Sequence, residues 1–208
     1  MKSDKLVYPR ISTGISKLGA SIASVNLPVG ETCRRDAPCN RKCYALRGNF
    51  AFDRVKESLR KNLMAYQDNP QGYFNVIDSV LTMVPYKYFR WHSSGDIPDQ
   101  QYLELMCKLA RKHRFTRFLC FTKKYELVNE YLDRRRKPSN LILVFSNWGR
   151  WRCENPHNLP TSWVRLNDSE CEIPDDAIEC TGYCGKCVTT ENSCWSLKPG
   201  QSVWFKKH

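Results

Sequence analysis

Eleven cysteines dominate the chemistry open to this chain, and eight of them fall into two groups. The early group is Cys33, Cys39 and Cys43, separated by five and then three residues. The late group is denser: Cys171, then Cys180, Cys184, Cys187 and Cys194. Three thiolates on one short loop can wrap a compact metal centre. Four closely spaced ones can complete a tetrahedral metal or a cubane. The Cys184-Gly185-Lys186-Cys187 knuckle suits zinc and iron–sulfur sites alike, and Gly182 and Gly185 let the backbone fold tightly around metal. Arg34, Arg35, Arg41 and Lys42 flank the early thiols, where positive charge favours thiolate over thiol. The four histidines are not paired with the cysteines. The expected site is therefore all-sulfur, either a [4Fe–4S] cluster (one, or two) or a four-thiolate zinc.

Cys33, Cys39 and Cys43 can hold one centre that is a ligand short, and Cys180, Cys184, Cys187 and Cys194 a second, complete one. Cys171 or an outside ligand can fill the gap, or the late group can lend one cysteine to the early site. Spacing leaves these arrangements open. Cys107 and Cys120 stand in apolar patterns and read as ordinary buried thiols, while Cys153 fits either role.

Metal is preferred to disulfides because the start, Met1-Lys2-Ser3-Asp4, lacks the apolar stretch of an export signal. A cytoplasmic setting is expected, where dense cysteines more often bind metal. An odd number of cysteines also precludes complete pairing. No segment is apolar enough to suggest a membrane span. The net charge of +12 favours polyanions such as nucleic acid. Trp148 and Trp151 could stack on bases, with Arg150 and Arg152 on phosphate. The densest basic run, Arg134-Arg135-Arg136-Lys137, ends a predicted helix and equally suits the helix dipole.

Hydrophobic residues make up 41% of the 208, enough for a real core. A strand is expected at Ala20–Val25, followed by the cysteine loop. Phe52, Val55, Leu59, Leu63 and Tyr66 mark one face of a helix, which Asn69-Pro70 stops. A second helix is predicted from about Tyr73, with Phe74, Ile77, Leu81 and Val84 inward. Further strands are expected at Tyr86–Trp91, Arg117–Phe121, Leu141–Phe145 and, last, Trp163–Leu166, ending at Asn167-Asp168. Pro98 opens a helix carrying Tyr102, Leu105, Met106 and Leu109, and another helix carries Leu127, Val128, Tyr131 and Leu132. Alternating strand and helix predicts a single α/β domain. Its expected core is a partial (β/α) barrel or an open parallel sheet, buried on both faces.

In such folds ligands sit beyond the carboxyl ends of the strands. The loops there would converge on one rim: the early cysteines, His92-Ser93-Ser94-Gly95-Asp96, Thr122-Lys123-Lys124 and Ser146-Asn147-Trp148. Arg90, His92, Asp96, Lys123 and Asn147 are the candidate substrate or cofactor contacts. His92 is the rim acid–base candidate by its reference pKa, although a lone histidine is as readily a hydrogen-bonded core residue. Asp96 can equally cap a helix.

The chain resembles the phage gene-product-88-like proteins. The likeness rests on Cys33 through Cys43 followed by Tyr44-Ala45, and on Arg90-Trp91-His92-Ser93-Ser94-Gly95-Asp96. Tyr102, Phe121-Thr122-Lys123-Lys124 and the late cysteines also carry it. It implies a viral origin, an infected bacterial host and a cysteine-rich metal site. A looser similarity is to radical S-adenosylmethionine enzymes, whose three-cysteine loop after the first barrel strand holds a [4Fe–4S] cluster with one open iron. That likeness implies S-adenosylmethionine contacts at Ser94, Gly95 and Asp96. The early spacing departs from that superfamily's, which occurs here instead at Cys180, Cys184 and Cys187.

Overall fold

The computed structural model describes residues 9–14, 17–148, 153–165 and 173–206. In chain order the elements are β1 (Ile11–Ser12), β2 (Ile22–Val25), α1 (Asp53–Asp68), α2 (Pro70–Met83), β3 (Tyr88–Trp91), α3 (Gln100–Lys112) and β4 (Arg117–Thr122). There follow α4 (Tyr125–Arg134), β5 (Leu141–Ser146), β6 (Thr161–Arg165), β7 (Ile178–Glu179), the single turn α5 (Cys184–Cys187) and β8 (Ser202–Lys206). Eight strands form one sheet in the order β1-β2-β3-β4-β5-β6-β8-β7, with β1 antiparallel and the other pairings parallel.

Alternating side chains send each inner strand to two cores. Phe89, Trp91, Phe118, Leu143 and Phe145 point toward α1–α4 and meet Tyr66, Ile77, Tyr102, Met106 and Val128. Each fully buried Phe, Ile or Met there contributes about 1.5–3 kcal/mol. The residues between them, Ile22, Tyr88, Leu119 and Val144, face a second core closed by Leu18, Trp195, Leu197 and Val203. Because β2 to β6 lie side by side in sequence order, right-handed crossovers put α1 to α4 on one face. The sheet is buried on both faces, as expected, with the cysteine-rich C-terminal segment covering the other. The sheet is open. It does not close into the barrel that was one of the two expected forms.

Local chemistry moves several predicted boundaries. Asn69 both ends α1 and caps α2, its Oδ1 accepting Gly72 N at 2.8 Å, and Pro70 fits the first turn where no N–H is needed. Val84 lies past the end of α2 and is exposed, not inward. Asp99, not Pro98 or Asp96, starts α3, its Oδ1 accepting Tyr102 N at 2.8 Å. The sheet does not finish at β6. The short run Ser202–Lys206, with Val203, Trp204 and Phe205 at its centre, adds β8 in parallel, pairing Trp163 with Trp204. Arg134 and Arg135 form ion pairs with Glu130 and Glu104, so part of the basic run is a solvated helix end. Among the described residues no helix is long and apolar enough to cross a membrane. Met1 to Asp4, Gly149 to Arg152, Leu166 to Asp168 and Cys171 lie outside the described residues.

Candidate functional site

The site is built where β2 and β3 end together. After Val25 the chain does not turn away but runs beside the loop following β3. Leu27 N donates to Ser94 O at 3.0 Å, His92 N to Val25 O at 3.0 Å, and Ser93 N to Asn26 Oδ1 at 2.7 Å. Ser94 Oγ returns a bond to Leu27 O at 3.0 Å, and Thr32 Oγ1 accepts Asp96 N at 3.0 Å. This lacing requires a glycine at the crossing. Gly95 has φ +79°, and a Cβ there would stand 2.7 Å from both Leu27 O and Thr32 Oγ1. The early cysteines therefore leave the lacing directly over the ends of β3 and β4.

The cysteine loop is then fastened at both shoulders. Arg34 Nη1 bonds both oxygens of Glu126 on α4 at 2.6 and 2.7 Å, while its Nε bonds Asp36 at 2.7 Å. Exposed pairs of this kind contribute little stability, yet they fix where the loop lies. Short 3-10 turns at Pro38–Arg41, Tyr44–Leu46 and Gly48–Ala51 carry it onward, and Tyr44 OH donates to Ser93 O.

Beneath the loop is a cleft of about 430 Å³ at the carboxyl ends of the strands. Cys33, Cys39 and Cys43 line it together. Cys33 lies within electrostatic reach of the other two. Burial pushes the Cys33 thiol up to about 11 and raises that of Cys43, so both are protonated at neutral pH. Arg90, His92, Asp96, Lys123 and Asn147 reach the same cleft, as do Ser94 and Gly95. The convergence expected of parallel strands is present.

The rim candidates nevertheless have different duties. Asp96 is buried, and its carboxylate accepts from Thr122 Oγ1 at 2.6 Å, Lys123 N at 2.8 Å and Ile97 N at 2.8 Å. Burial pushes its pKa up against those three donors, and its main effect is to tie the β3 and β4 loops together. With Ser94 also bonded inward, the polar groups of Ser94 and Asp96 are committed to the scaffold. Asn147 is buried, accepting Cys153 N at 2.8 Å where the chain returns toward β6.

His92 takes the core role. Its Nε2 is 3.1 Å from Tyr102 OH and its Nδ1 3.9 Å from Cys120 Sγ, with a left-handed backbone at φ 54°. Burial, aided by the Arg90 charge, lowers its pKa to about 3, so the ring is neutral. Cys107 and Cys120 are buried free thiols, as their apolar patterns suggested, and Cys153 packs at the edge of the helical core.

Arg90 and Lys123 differ from these. The Arg90 guanidinium lies 4.3 Å from the Phe121 ring centroid, and its Nε is buried without a hydrogen-bond partner. Phe121 in turn meets Phe205 of β8 edge-on at 5.6 Å. Phe205, Lys206, Lys17 and Tyr44 complete this wall. None of the four was a sequence candidate. The β-prone apolar run Val203-Trp204-Phe205 was the available signal for Phe205.

Cys180, Cys184, Cys187 and Cys194 do not line the cleft. They cluster against the second core, behind Arg90. Burial raises Cys194 to about 12 and also raises Cys184, with Arg90 opposing both shifts. Gly182 N donates to Cys180 Sγ at 3.4 Å, and Thr181 Oγ1 is 3.4 Å from Cys187 Sγ. The ten described cysteines are all free. Among the described residues, no group of three or more His, Cys, Asp or Glu side chains is drawn together closely enough to hold a metal ion.

A family model described as Gene product 88 matches residues 3–165. No curated protein and no solved structure matches the chain.

Proposed function

The chain belongs to the gene product 88 family of phage proteins, and we propose that within it this protein is an iron–sulfur protein with its working centre in the cleft. Cys33, Cys39 and Cys43 would hold a [4Fe–4S] cluster, and Cys180, Cys184, Cys187 and Cys194 a second, structural metal site. One observation carries the reading: three free thiols from one loop line the same cleft, at the strand ends where ligands bind in parallel α/β folds. The donor set is all sulfur, since the cleft's histidine is committed to Tyr102. Bound by three thiolates, such a cluster supplies one-electron chemistry and one iron open to an outside ligand.

The chain's own residues then have definable tasks. The Arg34–Glu126 bridge and the Gly95 crossing orient the thiols. Lys123, whose charge pulls Cys43 downward against burial, would offset thiolate charge. Phe121 and Phe205 keep one wall dry. A second reading, zinc in the late group with no catalysis, draws on the Gly182 N–H directed at Cys180 Sγ, which suits a four-thiolate knuckle.

Anaerobic purification followed by iron, zinc and acid-labile sulfide analysis and electron paramagnetic resonance tests this. The expected protein is brown and carries iron and sulfide, and Cys39→Ala loses the cleft centre while Cys184→Ala retains it. Colourless wild-type protein with stoichiometric zinc would overturn the iron–sulfur reading.

A further inference from the structure

The cleft carries a charge pattern that metal binding does not require. Lys42, Arg47, Arg90, Lys123 and Lys206 all line it, whereas Asp96 is the only carboxylate among its described lining residues. That carboxylate already accepts three hydrogen bonds. Lys206 pairs with Glu179 at 2.9 Å. Arg90 and Lys123 take part in no ion pair among the described residues, and the buried Nε of Arg90 has no acceptor. An unmatched buried donor costs about 1–3 kcal/mol, more when charged, so a site that leaves one is organised for a missing acceptor. The guanidinium lies over the Phe121 ring, and Arg90 lines the cleft. The volume is that of a small-molecule pocket. Enclosure beneath the cysteine loop suits a single anionic group better than a strand of nucleic acid.

We propose that the cleft binds a small phosphate-bearing molecule, with its anionic group held by Arg90 and Lys123 and its apolar part against Phe121 and Phe205. This goes beyond the metal reading and does not depend on which metal the thiols hold. Arg90 also faces Cys184 and Cys194. Iron and sulfide are therefore assayed on every variant, which keeps loss of the anion site distinct from loss of a metal centre.

The test is calorimetric titration of the anaerobically purified protein at low salt with AMP, adenosine and inorganic phosphate. AMP and phosphate are expected to bind and compete, and adenosine to bind far more weakly. Arg90→Gln should weaken AMP binding by roughly 10-fold or more. Arg90→Lys should weaken it less, since an ammonium keeps the charge but not the fork. If Arg90→Gln does not fold, Lys123→Gln and the phosphate competition decide. Equal binding of AMP and adenosine, no binding of AMP or phosphate, or unaltered AMP affinity in a folded Arg90→Gln protein overturns the proposal. So does tight binding of a single-stranded oligonucleotide that AMP cannot displace.

Discussion

The imidazole of His92 shows how environment decides what a side chain can do. In the unfolded chain it takes up a proton near its ordinary value of 6.5, whereas the folded ring resists protonation to about 3. Between those values the unfolded state holds more protons, so stability is full above pH 6.5 and falls as the pH drops through the window. The slope from this group reaches about 1.4 kcal/mol per pH unit. His92→Asn tolerates the same left-handed backbone and removes the titration. Urea midpoints measured across that pH range should show a flatter acid slope for the variant, and an unchanged slope would refute the assignment. The sequence placed His92, Asp96 and Asn147 at the rim correctly, but their residue types alone could not reveal their partners. Asp96 was a candidate substrate or cofactor contact, and only the structure shows three donors converging on it. Arg90 and Lys123 were rim candidates by position, but in a chain that is basic throughout their residue types could not show that they take part in no ion pair among the described residues.

At the level of elements, periodicity gave the helices and inner strands, and errors arose where one residue serves two structures. Asp99 is such a case: its Oδ1 caps α3 and also accepts Tyr66 OH from α1 at 2.5 Å. Asp99→Ala should cost about 1–2 kcal/mol for the cap alone, with a further loss for the stranded Tyr66 hydroxyl. Tyr66→Phe in the same chain should recover that further part but not the cap. A double-mutant cycle by chemical denaturation measures it, and strict additivity would show that the hydroxyl is not coupled to the cap. β8 escaped the sequence because its apolar run is only Val203-Trp204-Phe205 and follows a segment whose cysteines suggest only metal binding. Yet β8 supplies Phe205 and Lys206 to the cleft and lies beyond the residues matched by the family model.

Across the whole molecule the two cysteine groups occupy different mechanical positions. The early loop is fastened by Arg34 and Tyr44 to α4 and the β3 loop, whether or not it holds metal. The late group lies on the second core beside Trp195, Leu197 and Val203, and has few long-range bonds apart from Cys180 N to Trp204 O, Cys184 N to Lys17 O and Tyr88 OH to Val188 O. Metal there should hold that face of the sheet closed. Cys184→Ala is therefore expected to lower Tm by about 5 °C or more, and by more than Cys39→Ala. Scanning calorimetry of the anaerobic proteins decides, and the reverse order would count against a stapling role.

The position of β8 between β6 and β7 also bears on how the protein is made. This strand leaves the ribosome after the seven others, so a nascent chain carries an unpaired β6 edge and an uncovered apolar face. The early cysteines emerge long before that, without Phe205 and Lys206 to wall them in. If the early cysteines take up a metal centre as proposed, its delivery could therefore precede completion of the pocket around them.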